Sequence, residues 1–360
     1  MKEIYLKKLV LNNYRNFTEL SLNFTQNVNI IIGSNGCGKT NILESISLLS
    51  PGKGLKSSNF DEICKHGCNN WNSQFSIESK LGVAEIQTSF NLQERNRRIS
   101  YNGAKISSGE LPNLLNLVWL TPQMEGIFSG PSLHRRKFLD RIVYNFIPLH
   151  AKRLLTYDHY IRERNKILAN HGYQNHTSWL TSIEMQIAQE AVLIEKNRVD
   201  VIHQMQKSID NLATDFPKAK LFLTELFKDV GTEEDIIQLY IQALQNNRKK
   251  DFYAGRATFG VHRSDLNVFH SYKNRSSKLC STGEQKAMLI SLTLASVDAL
   301  LKNTETTPIL LLDELFIHLD GNKKKQLYDY INSTKLQTFV TTTDILGIEY
   351  LAKESNIIEL

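Results

Sequence analysis

Residues 33–40 read Gly33-Ser34-Asn35-Gly36-Cys37-Gly38-Lys39-Thr40, a glycine-spaced octet that ends in a lysine and a hydroxyl. This is the G-x-x-x-x-G-K-[ST] pattern, and each part of it has a use in holding phosphate. Glycines let the loop curl so that successive N–H groups face phosphate oxygens, and the helix that follows adds its positive N-terminal end. Lys39 brings a point charge to the β- and γ-phosphates, and Thr40 brings a hydroxyl to Mg²⁺. The octet follows Val28–Ile32, a short apolar, β-branched run that reads as a buried strand, and it precedes a helical stretch. A guanine reader would be Asn-Lys-x-Asp, which neither Asn165-Lys166-Ile167-Leu168 nor Asn322-Lys323-Lys324-Lys325 matches, so the expected ligand is ATP.

A second set of groups lies far along the chain. Pro308-Ile309-Leu310-Leu311-Leu312-Asp313-Glu314 is an apolar strand ending in two carboxylates. Asp313 is placed to hold Mg²⁺ through water, and Glu314 to polarise or deprotonate an attacking water. Taken alone, the pair also reads as an acidic helix start after a buried strand. Upstream, Ser281-Thr282-Gly283-Glu284-Gln285-Lys286 opens a helix with a hydroxyl, a glycine and free N–H groups, which makes either a second anion-binding terminus or a plain helix cap. Asp320 comes six residues after Glu314. Signature, acidic strand and Asp320, in that order, resemble the signature, Walker B and D-loop of ABC-type ATPases. That resemblance implies a composite site: the signature of one copy covers the nucleotide on the phosphate loop of another, giving an ATP-dependent homodimer. Gln123 stands roughly where such ATPases have a Q-loop, and Thr342 near where transporter ATPases have a switch histidine.

These groups need a scaffold, and the chain alternates between two kinds. Ile4 to Leu9 and Leu20 to Phe24 alternate as strands do, Phe75–Leu81 and Val83–Phe90 read as further strands, and Asn102-Gly103 marks a hairpin between Arg97–Tyr101 and Ala104–Ile106. An antiparallel β layer is therefore expected beside the nucleotide motif. From Ser132 to Asn246 the pattern turns helical, with Ile183, Ile187, Ala191, Ile194, Val201, Met205, Ile209 and Leu212 on one stripe and a loop at Asn170–Ser178. Helices at Glu284–Lys302 and Lys323–Ile331 and strands at Ile309–Leu312 and Thr338–Thr341 follow. The expected division is an α/β ATPase lobe from 1–125 and 253–360, with an inserted helical lobe from 126–252.

Composition bounds the class. The chain has 360 residues, 41% of them hydrophobic and 22% charged, as in an ordinary globular protein. No apolar run is long enough to span a bilayer and the first residues lack a signal peptide's apolar core, so no membrane association and a cytoplasmic location are expected. Four scattered cysteines do not make a disulfide framework, and Cys64, His66 and Cys68 lack a second ligand pair for zinc. A net charge of +6 is only mildly basic. Between residues 134 and 166, however, Arg135, Arg136, Lys137 and Arg141 begin a basic run, which reads equally as a solvated helix face or as a phosphate-contacting surface.

Several stretches resemble the bacterial RecF family, nearly end to end. Asn13-Tyr14-Arg15-Asn16-Phe17 is similar to its N-[FY]-R-N-[YF] opening, and Gly38 to Ile46 to its GKTN[LI]LEAI. Arg135 to Asp140 resembles RR-[RK]-FLD, Gly260 to Asp265 resembles GPHRDD, and Gln337 to Thr343 resembles Q-x-F-[VI]-T-T-T. Val261 and Ser264 depart from that pattern, as do Thr282 to Gln285 where Q-G-Q-Q is usual, Gln123, and Glu314 where many members have Asp. The resemblance implies an ABC/SMC-type P-loop ATPase head that binds DNA at single-strand/double-strand junctions, dimerises on ATP and is reset by slow, DNA-stimulated hydrolysis. It also implies partnership with RecO and RecR in loading RecA during gap repair and replication restart, near the nucleoid. Rival readings are the head of another SMC-type complex, for which the stretch from Thr40 to Ser281 is too short to hold a long coiled coil, a transporter subunit, and an ATP-binding module without hydrolysis.

Overall fold

The structure is a computed structural model; it describes residues 4–80, 82–172, 177–227, 230–345, 348–353 and 355–360. The first third holds β1 (Ile4–Tyr14), β2 (Phe17–Asn23), β3 (Val28–Ile32), α1 (Lys39–Ser47), β4 (Asn70–Ser79), β5 (Gly82–Asn91), β6 (Asn96–Tyr101), β7 (Ala104–Ile106) and β8 (Leu117–Leu120). Then come α2 (Ser132–Phe146), α3 (Leu149–His171), α4 (Thr177–Asn211), β9 (Ala219–Leu223), α5 (Glu233–Ala254), β10 (Leu266–His270) and β11 (Arg275–Ser276). The last part is α6 (Thr282–Asn303), β12 (Ile309–Leu312), α7 (Gly321–Thr334), β13 (Thr338–Thr342), α8 (Glu349–Ala352) and β14 (Asn356–Glu359). Of the loop expected at Asn170–Ser178, residues 173–176 lie outside the described ones, and the flanking residues end α3 and begin α4.

The chain divides into two units. One comprises Met1–Glu125, Ser208–Lys218 and Ser281–Leu360, the other Gly126–Lys207 and Ala219–Cys280. Residues 253–280, expected in the ATPase lobe, are grouped with the helices. The physical reason is strand pairing: β10 lies antiparallel between β9 and β11, with Leu266 opposite Leu223, so this stretch closes a three-stranded sheet with β9. The short strand β9 escaped a periodicity reading because it interrupts a long helical stretch.

In the first unit, a six-stranded antiparallel sheet has the order β2-β1-β4-β5-β6-β7, and a five-stranded parallel sheet has the order β14-β3-β13-β12-β8. Alternation decides the faces of the antiparallel sheet: Leu6, Leu9, Leu11 and Tyr14 of β1, and Trp71, Phe75 and Ile77 of β4, are buried in one core with Ile42, Leu43 and Ile46 of α1. The parallel strands β8 and β12 are buried at every position, as expected of strands covered on both faces. Asn102 and Gly103 both take positive φ, 48° and 80°, which forms the hairpin turn their types predicted.

The turn from β1 to β2 ties the antiparallel sheet to α1. Tyr14 pairs with Phe17, and Arg15 sits between them at φ 54°. Its guanidinium donates to Glu44 Oε2 of α1 at 2.8 Å and to Oε1 at 2.5 Å, and it also reaches Ser58 Oγ and the Glu62 carbonyl. Glu44 is wholly buried, and the Arg15 fork pairs its charge.

The second unit packs helices around Tyr157, Ile167, Ile187, Ala191, Ile194, Tyr240 and Leu244; of the stripe seen in sequence, Ile183 to Ile194 belong to this cluster, whereas Ile209 and Leu212 fall in the first unit. Two buried ion networks run through it. Arg164 bonds Glu184 at 2.9 Å and Asp251 at 2.7 Å, all three side chains fully enclosed. Arg198 forks onto Asp140 at 2.7 and 2.9 Å, and His150 Nε2 lies 3.0 Å from the same carboxylate. Burial alone would raise the Asp140 pKa, but the Arg198 charge and the bonds from His150 and Arg198 bring it down to about 2, against an ordinary 3.8.

Two outcomes follow for stability. Arg15→Ala strands a buried carboxylate and should cost roughly 3–5 kcal/mol, the range for breaking one side of a buried pair. Urea unfolding measures it; adding Glu44→Gln should recover part of the loss, and a single change within about 0.5 kcal/mol of wild type would contradict the clasp. A carboxylate with a depressed folded pKa stabilises above its unfolded value and loses that contribution as pH falls through the folded value. For Asp140 the window is therefore about pH 4 down to about pH 2. Asp140→Asn should be less stable at neutral pH and should lose less on acidification into that window, as read from urea midpoints at a series of pH values.

Candidate nucleotide site

The phosphate loop joins β3 to α1. Gly36 and Gly38 take φ 84° and 115°, a region that L side chains rarely adopt. At Gly38 space forbids a side chain as well: a Cβ would lie 2.4 Å from the Phe17 ring and 2.8 Å from Asn16 Nδ2. Asn16 in turn donates to the Cys37 carbonyl at 2.8 Å and accepts from Asn41 Nδ2 at 2.8 Å, so the β1–β2 turn clasps the loop. Ser34, Asn35 and Gly36 are exposed, while Gly33 and Cys37 are half-buried. Lys39, almost fully buried, folds its ammonium back onto the carbonyls of Gly33 at 2.8 Å and Ser34 at 3.0 Å.

Facing the loop is the end of β12. Thr40 Oγ1 donates toward Asp313, 2.9 Å from Oδ1 and 3.2 Å from Oδ2. Glu314, one third exposed, has φ 48° and ψ 22°, a left-handed conformation held by a bond from its N–H to Thr341 Oγ1 at 2.9 Å. Thr341 itself donates to Asp313 Oδ1 at 2.8 Å. Lys39 Nζ and Glu314 Oε1 are 4.0 Å apart. Nearby, the half-buried Lys56 donates to Asn41 Oδ1 at 2.7 Å; desolvation lowers its pKa, against the pull of Glu44 and Asp313.

This donor set suits a metal-bound triphosphate. Among the described residues the hydrogen bonds of the buried Lys39 ammonium go to backbone carbonyls, which phosphate oxygens can replace. Thr40 and Asp313 offer a hydroxyl and a carboxylate, hard oxygen donors of the kind Mg²⁺ takes. With Mg²⁺ and ATP bound, the loop N–H groups and Lys39 would hold phosphate, Thr40 and Asp313 the metal shell, and Glu314 the side from which water attacks.

Other expected residues stand apart from this cluster. Ser281 is an exposed N-cap of α6, its hydroxyl accepting from the Glu284 N–H at 3.3 Å, and an added Cβ at Gly283 would meet nothing within 4 Å. Asp320 caps α7, accepting from the Lys323 N–H at 2.9 Å and pairing with its ammonium at 2.8 Å. Gln123 is exposed in the short turn after β8. Thr342, at the end of β13, has its hydroxyl on the Asp344 carbonyl at 2.7 Å rather than on the carboxylates. Successive residues of a strand face opposite ways, and it is Thr341 that turns toward the carboxylates. Asn16 and Thr341 fall in the family-like stretches but were not named as site residues, and Lys56 was not named at all; strand register, the β1–β2 turn and the segment after α1 bring them here.

The basic start of α2 also reads differently. Arg135 is buried and forks onto Asp265 at 2.8 Å through both Nε and Nη2, with Nη1 on three carbonyls. Arg141 lies over the Phe138 ring at 5.4 Å, and burial pulls its guanidinium down to about 9. Arg135 is thus held inside the helical unit, while Arg141 is half-buried beside Phe138. Arg136 is partly covered, bonded to Ser132 Oγ and the Ser264 carbonyl, and Lys137 is exposed.

Comparison with known proteins agrees with this geometry. The RecF/RecN/SMC N terminal domain model matches residues 5–353. DNA replication and repair proteins RecF of Rickettsia bellii (strain RML369-C) and Rickettsia prowazekii (strain Madrid E) are each 46% identical over the full length of both chains. Among solved structures, the recombination mediator protein RecF-ATPrS of the RecFOR pathway superposes with a TM-score of 0.86 at 25% identity, covering 99% of this chain and 96% of that one. The ATP form of RecF gives 0.85. An Smc head domain from Pyrococcus furiosus gives 0.54 at 16% identity, a likeness of fold. With the phosphate loop, the acidic strand and the two-sheet head all in place, the chain belongs to the RecF family of DNA replication and repair proteins, with the ABC/SMC-type ATPase fold.

Proposed function

We propose that this chain is an ATP-dependent DNA-binding protein of recombinational gap repair and replication restart. Two copies close on ATP and Mg²⁺ at single-strand/double-strand junctions, and slow, DNA-stimulated hydrolysis releases them. The observation that carries the reading is the meeting of Lys39, Thr40, Asp313 and Glu314 around one loop. The exposed Ser281–Gly283 terminus supports pairing, because a helix N-terminus with free space in front of it can cover the γ-phosphate of a second copy. RecO and RecR as partners, RecA loading as the outcome, and a cytoplasmic place at the nucleoid follow from family membership. Contact with DNA phosphates falls to exposed cations such as Lys137 and Arg263 rather than to Arg135 or Arg141. The transporter reading finds no support: the full-length relatives at 46% identity are named DNA replication and repair proteins.

Light scattering with ATP and Mg²⁺, with and without gapped DNA, tests the proposal. Wild type should dimerise on ATP, Lys39→Met should stay monomeric, and Glu314→Gln should form dimers whose lifetime grows by about 10²-fold or more, as expected when a general base is lost. An ATP-independent oligomeric state in all three proteins, with DNA binding indifferent to nucleotide, would defeat it.

A further inference from the structure

In the parallel sheet, β13 lies between β3, which feeds the phosphate loop, and β12, which ends in Asp313 and Glu314. Val340 is in register with Leu312 on one side and Ile30 on the other, so the next residue, Thr341, stands level with Asp313. Its side chain is fully buried. A threonine hydroxyl has one hydrogen to give, and this one gives it to Asp313 Oδ1 at 2.8 Å. The Thr341 hydroxyl oxygen in turn accepts the Glu314 N–H at 2.9 Å. That N–H belongs to a residue at φ 48°, where a non-glycine backbone persists only if its surroundings hold it.

We infer that Thr341 is a positioning residue that sets the metal-holding carboxylate and the water-facing carboxylate with a single hydroxyl. The inference rests on the proposed hydrolysis reading for the role of Glu314. Thr40 cannot substitute, because its own hydroxyl is shared between Asp313 and the metal that the loop motif calls for. Thr341 serves the two acidic residues alone. Losing the hydroxyl leaves Asp313 with the Thr40 hydroxyl, which the metal must share, and the Glu314 N–H without its acceptor, which loosens the carboxylate and lets the Glu314 backbone leave its left-handed turn.

The experiment compares wild type, Thr341→Val and Thr341→Ser in the full chain. Valine keeps the branched shape without the hydroxyl, and serine keeps the hydroxyl without the branch. The equilibrium readout is the Mg²⁺ concentration at which binding of a fluorescent ATP analogue reaches its midpoint. Thr341→Val should raise that midpoint and lower kcat, each by about 10–100-fold, the usual effect of removing an outer-shell partner. Binding of the analogue in EDTA should stay unchanged, and Thr341→Ser should restore both values to within about threefold of wild type. Equal midpoints and equal kcat for the valine and wild-type proteins overturn the inference. So does a serine variant as impaired as the valine one, which would make the residue a packing element. Should the valine protein not fold, Thr341→Cys, with a weak S–H donor, must fall between; a wild-type midpoint there overturns the inference too. If wild type binds ATP but never hydrolyses it, the hydrolysis reading falls, while the Mg²⁺ midpoints still decide whether Thr341 positions Asp313.

Discussion

Everything chemical in this chain depends on bringing Thr40 and Asp313, 273 positions apart, to within 2.9 Å. No local preference can do that; the parallel sheet does. Strands β3, β13 and β12 lie side by side and end at the same edge, so the loop after β3 and the carboxylates after β12 are delivered to one place. Parallel strands need crossover connections, and here the stretch from β3 to β12 holds α1, strands β4 to β7 of the antiparallel sheet, β8 and a whole helical unit.

Strand β13 has a double duty in that arrangement. It supplies hydrogen-bonding edges to two neighbours, and it places a buried hydroxyl between two acidic residues. A buried polar group of this kind is tolerated when all its bonding capacity is used, and Thr341 uses both its donor and its acceptor. Gln337 behaves similarly at the other end of the strand, its amide bridging the Leu6 N–H and carbonyl of β1 and so joining the two sheets.

Much of this was legible in one dimension. Val28–Ile32 and Ile309–Leu312 were bounded correctly, because short apolar runs flanked by a glycine-rich loop and by carboxylates have few other uses. The Asn102-Gly103 hairpin and the buried stripe of α4 followed from turn chemistry and period. Register was not legible. Thr341, Thr342 and Thr343 are chemically identical in sequence, and only the pairing of Val340 with Leu312 tells which of them faces Asp313. Charge was also ambiguous: a run of arginines looks like a surface until Asp265 is found 130 residues away from Arg135, or Asp140 58 residues from Arg198. Long-range ion pairs leave no periodic trace, so the interior arginines of the helical unit were indistinguishable from exposed ones.

The clasp of Asn16 and Phe17 on the phosphate loop bears on how tightly a nucleotide can be held. A flexible glycine-rich loop would have to give up its conformational freedom at the moment of binding, and that loss would be subtracted from affinity. Here the turn between β1 and β2 has already confined Gly38 and the Cys37 carbonyl. The ordering cost is met when the protein folds, so the binding energy of the phosphates remains available for whatever the nucleotide must do next.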